Sequence, residues 1–210
     1  MSDHPVIDVL HGRISATSFA SGRGLPDETV RELIRDATQA PSSFNIQHWR
    51  FVCVRKDEDK KRLRALAYDQ SEVEEAAVTF IVLGDLLGHE RLEKILEPSV
   101  EAGVMSRRCA RRWVEMSNRA YGDPQMARDE AIRSATLAAA NLMISAAARG
   151  LVSAPMIGFD SGGVKTEFGI ADRFLPVMLL AVGHPGDDNT ERKIRLEVDD
   201  VLAYDHGRDF

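Results

Sequence analysis

Six histidines and two cysteines are the residues from which a metal centre could be assembled, and their spacing does not support one. His4, His11, His48, His89, His184 and His206 form no HExxH or HxH pair, and Cys53 and Cys109 stand far apart in the chain, so no metal site is expected. No GxSxG elbow is present, which removes a serine hydrolase of that class. Gly22-Arg23-Gly24 begins like a dinucleotide fingerprint, but Asp27 stands where the third glycine belongs. Gly162-Gly163-Val164-Lys165-Thr166 is similar to a phosphate loop with its Gly-Lys-Thr order broken, and reads as a surface turn. None of these searches yields an acid–base pair, an activated nucleophile or a ligand set.

Three separated stretches remain. Arg13-Ile14-Ser15-Ala16-Thr17 follows a short apolar helical start at residues 6–10. Residues 40–49, Ala-Pro-Ser-Ser-Phe-Asn-Ile-Gln-His-Trp, form a polar loop between a helix and a strand. Arg192-Lys193-Ile194-Arg195 lies near the end of the chain. Taken singly they read as a turn, a connector and a solvated basic patch.

The elements that must position these stretches are legible from pattern. Pro26, Asp27 and Glu28 suit a helix start, Val30, Leu33, Ile34 and Ala37 recur at helical spacing, and Pro41 bars continuation. Residues 49–54, 78–83 and 176–182 are β-rich apolar runs that read as buried strands. A charged helix is expected from Asp57, and helical pattern runs over residues 89–120. A long helix over residues 129–149 closes at Gly150; its small, uncharged middle suggests enclosure by packing. A polar tail follows Glu191, with Val198, Val201 and Leu202 as its anchors. Few strands separated by long helices make an α+β chain.

Composition agrees with a folded globular domain over residues 1–210. There are 27 Lys+Arg against 33 Asp+Glu, a net charge of −6, with 44% hydrophobic and 29% charged residues. A pI near 5.6 argues against nucleic acid as a partner. The longest uncharged run, residues 134–148, is too short to span a bilayer, and the N-terminus lacks a basic-then-apolar signal pattern. With two cysteines and no disulfide framework, a cytoplasmic protein without a membrane partner is expected.

Together the three stretches resemble the FMN-dependent nitroreductase family, over about residues 6 to 202. Pro41-Ser42-Ser43-Phe44-Asn45-Ile46-Gln47-His48-Trp49 carries its Pro-Ser-Ser-x-Asn-x-Gln-x-Trp pattern, and Pro155-Met156-Ile157-Gly158-Phe159-Asp160 matches Pro-x-x-Gly-Phe-Asp. The resemblance implies a central mixed sheet flanked by helices and an intertwined homodimer with FMN bound between subunits. It further implies a helical lid over about residues 86–123 that shapes the acceptor pocket. Arg13, Ser15, Lys193 and Arg195 would surround the phosphate, whose charge of about −1.5 to −2 three cations and a hydroxyl can satisfy. Pro41, Ser42, Ser43 and Asn45 would line the flavin ring, Gln70 would reach the ribityl chain or ring edge, and Gln47 would hold the loop. Ile157 and Gly158 would offer main-chain N–H groups near flavin N5 and O4. Two positions depart from the family pattern. Ile14 replaces a commonly polar residue, and Thr17 replaces a basic residue near the N1–C2=O edge, a loss that makes the flavin harder to reduce.

The implied activity is two-electron, ping-pong transfer from NADH or NADPH to nitroaromatics, quinones or similar electrophiles, with no catalytic side chain because the cofactor carries the chemistry. A same-fold enone or aldehyde reductase, dehalogenase or flavin-fragmenting enzyme, or a flavin-binding protein without turnover, stays open. Arg107, Arg108, Arg111 and Arg112, stacked at i,i+4, read as a solvated helix face, with attraction of nucleotide phosphates as the competing role. Trp113 and Phe44 fit either acceptor stacking or core packing, and Cys53 reads as core.

Overall fold

β-branched and aromatic residues concentrate in runs that pair into one sheet, in a computed structural model describing residues 4–207. The strands are β1 (Trp49–Val54), β2 (Val78–Asp85), β3 (Val152–Met156) and β4 (Phe174–Gly183), in the order β1-β2-β4-β3. Every strand pair is antiparallel. The expected mixed character is confined to one isolated parallel bridge, Ser15 with Ser153. The run at residues 152–156 was not expected to be a strand, because Ser153, Ala154 and Pro155 carry little strand propensity. It forms at a sheet edge, where Pro155 needs no amide hydrogen for a neighbour.

Around the sheet lie α1 (Pro5–Gly12), α2 (Asp27–Ala37), α3 (Asp57–Leu66), α4 (Glu72–Glu75), α5 (Leu92–Glu101), α6 (Arg107–Ala120), α7 (Pro124–Ala148), α8 (Ser161–Glu167) and α9 (Val198–Val201). Period-two alternation along β2 divides the core. Ile81 and Leu83 join Leu63, Val73 and Val164 on the face covered by α3 and α8, whereas Val78, Phe80 and Val82 join Leu33, Ala135, Ala139 and Leu142 on the face covered by α2 and α7. A third cluster, Ile46, Leu92, Leu96, Tyr121 and Ala127, packs α5 and the end of α6 onto the loop before β1.

Four expectations change. The helical stretch at residues 89–120 breaks at Gly103, whose φ of +71° suits glycine, leaving α5 and α6. Helix α7 starts five residues early, at Pro124, because Asp123 caps it by accepting from Gln125 N at 3.0 Å. The Gly162-Gly163 turn is the start of α8, capped by Asp160, whose Oδ1 accepts from Gly163 N at 3.0 Å. Val198, Val201 and Leu202 do not anchor the tail; all three are exposed.

Helix α7 is long and apolar enough to cross a bilayer by length, yet one side of it is buried against the sheet and α2. Its approach to β2 depends on Gly84, where a Cβ would stand 2.7 Å from the Ala131 carbonyl oxygen. Nearby, buried His48 lies with Nδ1 3.2 Å from Ser134 Oγ of α7. Burial, the largest influence, pushes its pKa down to about 4.

Gly84→Ala must push α7 off β2 and should cost about 1–3 kcal/mol, read as a lower urea midpoint at unchanged m. His48 folds neutral and titrates lower than in the unfolded chain, so its contribution is complete above about pH 6.5 and is lost as pH falls towards 4. That loss should be on the order of 3 kcal/mol, and His48→Asn should flatten this part of the stability–pH curve.

Candidate functional site

The segment 13–17 runs beside edge strand β3: Ser15 bridges Ser153, and Ala16 N donates to Ser153 O at 2.9 Å. The tail returns to the same place, since Arg192 Nη1 donates to Leu10 O at 2.7 Å and His11 O at 3.2 Å. Arg13 is thereby brought into the field of Arg192 and Arg195. Burial first, and then these two like charges, hold its guanidinium pKa below the ordinary value. A partly buried cation among cations is the arrangement that a bound anion relieves. Lys193 sits on the same exposed tail, with Nζ donating to Thr190 Oγ1 at 3.2 Å. Thr17 is held by Asn189, whose Oδ1 accepts from Thr17 N at 3.0 Å and whose Nδ2 donates to Ser18 O at 2.8 Å.

At the other end of β3 the chain emerges through Ile157, 82% exposed, into Gly158. Gln70 Nε2 donates to Gly158 O at 2.7 Å and to Ala67 O at 2.9 Å, which draws Gln70 and the 157–158 segment together. From Ser153 to Gly158 the edge extends about 16 Å at the rise of a strand.

The loop over residues 41–48 enters β1, on the opposite edge of the sheet. Phe44, Asn45 and Gln47 have φ of +51°, +58° and +57°, a left-handed backbone costly for residues with a Cβ. Ser42 Oγ closes the loop by accepting from Gln47 N at 2.9 Å. The Gln47 side chain, expected to hold the loop, reaches Asn45 O at 3.5 Å, and the Gln47 main chain is tied to Ser42. Phe44 packs edge-on against Trp113 (5.9 Å) and Tyr121 (6.4 Å), which makes both Phe44 and Trp113 packing residues of the third cluster. The Ser43 side chain hydrogen-bonds Tyr121. Ser43 N donates to Glu130 Oε1 at 3.4 Å.

Helix α7 measures the separation between the two groups. Its residue 130 touches Ser43, and its residue 147 lines the same depression as Arg13 and Ile14. Seventeen residues of helix span about 25 Å. One chain thus brings Arg13, Ser15, Arg192 and Arg195 together, and Gln70 with Gly158, but does not bring residues 41–45 to them. Asn189, Tyr121 and Glu130 were not singled out by the sequence, and Arg192 and His48, though inside the stretches that were, had no role assigned.

In the arginine cluster, Arg107 makes a bidentate ion pair with Glu97 of α5, at 2.8 and 3.2 Å, and Arg108, Arg111 and Arg112 are exposed. Burial pushes the Cys53 thiol up to about 11, as fits a core residue. Among the described residues there is no cluster of three or more His, Cys, Asp or Glu side chains able to hold a metal.

The model of the nitroreductase family matches residues 10–184. YodC of Bacillus subtilis (strain 168), named by inference as an NAD(P)H nitroreductase, is 34% identical over 177 residues, 84% of this chain and 88% of YodC. The NADH dehydrogenase of Thermus thermophilus is 31% identical over 190 residues, 88% of this chain and 90% of its own. A chain from Exiguobacterium sibiricum 255-15, named by inference as a nitroreductase and solved in complex with FMN, superposes with a TM-score of 0.89 at 28% identity. That match covers 97% of this chain and 99% of the other. With the fold, the polar loop before β1 and the Gly158 segment all in place, the chain belongs to the nitroreductase family.

Proposed function

We propose that this chain acts as a homodimeric NAD(P)H:FMN oxidoreductase that reduces nitroaromatic, quinone or similar electrophilic acceptors. The observation that carries the reading is the convergence of Arg13, Arg192 and Arg195 beside Ser15 at one end of β3, with Gln70 and Gly158 at the other. The donor set fits FMN: guanidiniums and a hydroxyl for the phosphate at one end, main-chain and amide groups for a polar ring edge about 16 Å away. When bound, FMN would supply two-electron redox chemistry between a nicotinamide and the acceptor. The protein's task is to bind, orient and exclude water. Arg13 and Ser15, with Lys193 and Arg195, neutralise the phosphate. Ile157 and Gly158 present main chain to the ring, and Thr17 leaves its edge without a cation.

A second copy of the chain completes the site, because Pro41, Ser42, Ser43 and Asn45 stand farther from Arg13 than one flavin reaches. Exposed surface supports this. The chain exposes 12648 Å², against about 9700 Å² for a compact monomer of this mass. Part of the exposed surface is apolar: Val6, Ile7 and Leu10 of α1, Leu137 on the open stripe of α7, and Ile194, Leu196, Val198 and Val201 of the tail are all exposed. The α5–α6 excursion then acts as the lid, and the groove lined by Phe44, Arg112, Met116 and Arg119 becomes the acceptor's neighbourhood.

Purified protein should be yellow, bleach anaerobically with NADH or NADPH, and recover its colour on adding a nitroarene or quinone. Protein that stays colourless with added FMN refutes the reading. Arg13→Ala and Asn45→Ala should each weaken FMN binding at least tenfold. Co-expressed, the two variants should form mixed dimers with one intact site, regaining FMN and activity that neither has alone; a site built within one chain would give no rescue.

A further inference from the structure

Carboxylates are seldom buried unless donors and a counter-charge hold them. Glu130 of α7 is 7% exposed. Its Oε1 accepts from Ser43 N at 3.4 Å and from Ser134 Oγ at 3.1 Å, and its Oε2 pairs with Arg133. Ser134 in turn meets His48, which burial keeps neutral at pH 7. Arg133 is therefore the counter-charge, and its side chain is 59% exposed, where water screens it. The carboxylate's field reaches the neighbouring side chains: it acts to raise the pKa of both His48 and Tyr121.

The loop in front of Glu130 needs an external hold. Within residues 44–47, three have left-handed backbones, and their internal bonds run from Asn45 N to Ser42 O, Ile46 N to Ser43 O and Gln47 N to Ser42 Oγ. None of these fixes the Ser43 amide; Glu130 does. With that N–H committed inwards, the loop can offer a ligand its side chains but not the Ser43 main-chain donor.

We propose that Glu130 is a positioning residue of the flavin site, fixing the Ser43 main chain and setting a buried negative charge behind the ring-facing loop so that the flavin potential is held low. The inference rests on residues 41–45 lining the flavin, as proposed above; Glu130 itself touches no ligand. Negative charge accumulating on the ring during reduction is repelled by a carboxylate standing one peptide behind its contact residue. Thr17, which supplies no cation, leaves that repulsion unopposed on its side.

The test is anaerobic reductive titration of the FMN-loaded protein against a reference dye, for the parent, Glu130→Gln and Arg133→Gln. Glutamine keeps the acceptor for Ser43 N and removes the charge. At a fixed potential its reduced-to-oxidised flavin ratio should rise about tenfold, equivalent to about 30 mV upwards for a two-electron couple. Arg133→Gln strips away the counter-charge and should move the ratio the opposite way. The inference is overturned if both variants stay within threefold of the parent, or if both shift in the same direction, as a merely loosened loop would cause. Loss of FMN from Glu130→Gln while Arg133→Gln titrates like the parent also overturns it. A parent that binds no FMN would instead sink the flavin reading itself.

Discussion

Helix α7 can lie against β2 only because residue 84 has no side chain. That contact sets the depth of the helix, and the helix sets almost everything else. Its N-terminal half places Glu130 and Ser134 behind the loop at residues 41–48, and its C-terminal end meets Arg13 and Ile14. A rigid rod thus holds the loop at residues 41–48 and the Arg13 segment about 25 Å apart.

Electrostatics complete the picture. Arg13, Arg192 and Arg195 are drawn together by main-chain contacts that place like charges near one another. At the opposite edge a buried carboxylate is held by an amide, a hydroxyl and a screened arginine. Neither cluster contains a nucleophile or an acid poised for transfer.

The sequence was informative where a single local rule decides the outcome. β1 matched its apolar run at both ends, and α2 began just after Pro26. The polar motif at residues 41–49 was readable because its residue types are unusual between a helix and a strand. β3 was not, since Ser153 and Pro155 are tolerated only at an edge, a position that no local pattern announces. Glu130, His48 and Tyr121 come from three separate elements, and their meeting depends on packing at Gly84 and Ile46. Residues 162–163 failed for a similar reason: Asp160 caps the turn and Leu66 packs close to Gly163, so a pair of glycines starts a helix instead of ending one.

Pro155 has a consequence for how copies of this chain can meet. On the outer strand it leaves one rung of the ladder without a donor, and the 13–17 segment covers a neighbouring rung by a single bridge. Another molecule cannot zip onto that border strand by strand. The β3 border is thereby a poor template for open-ended strand addition.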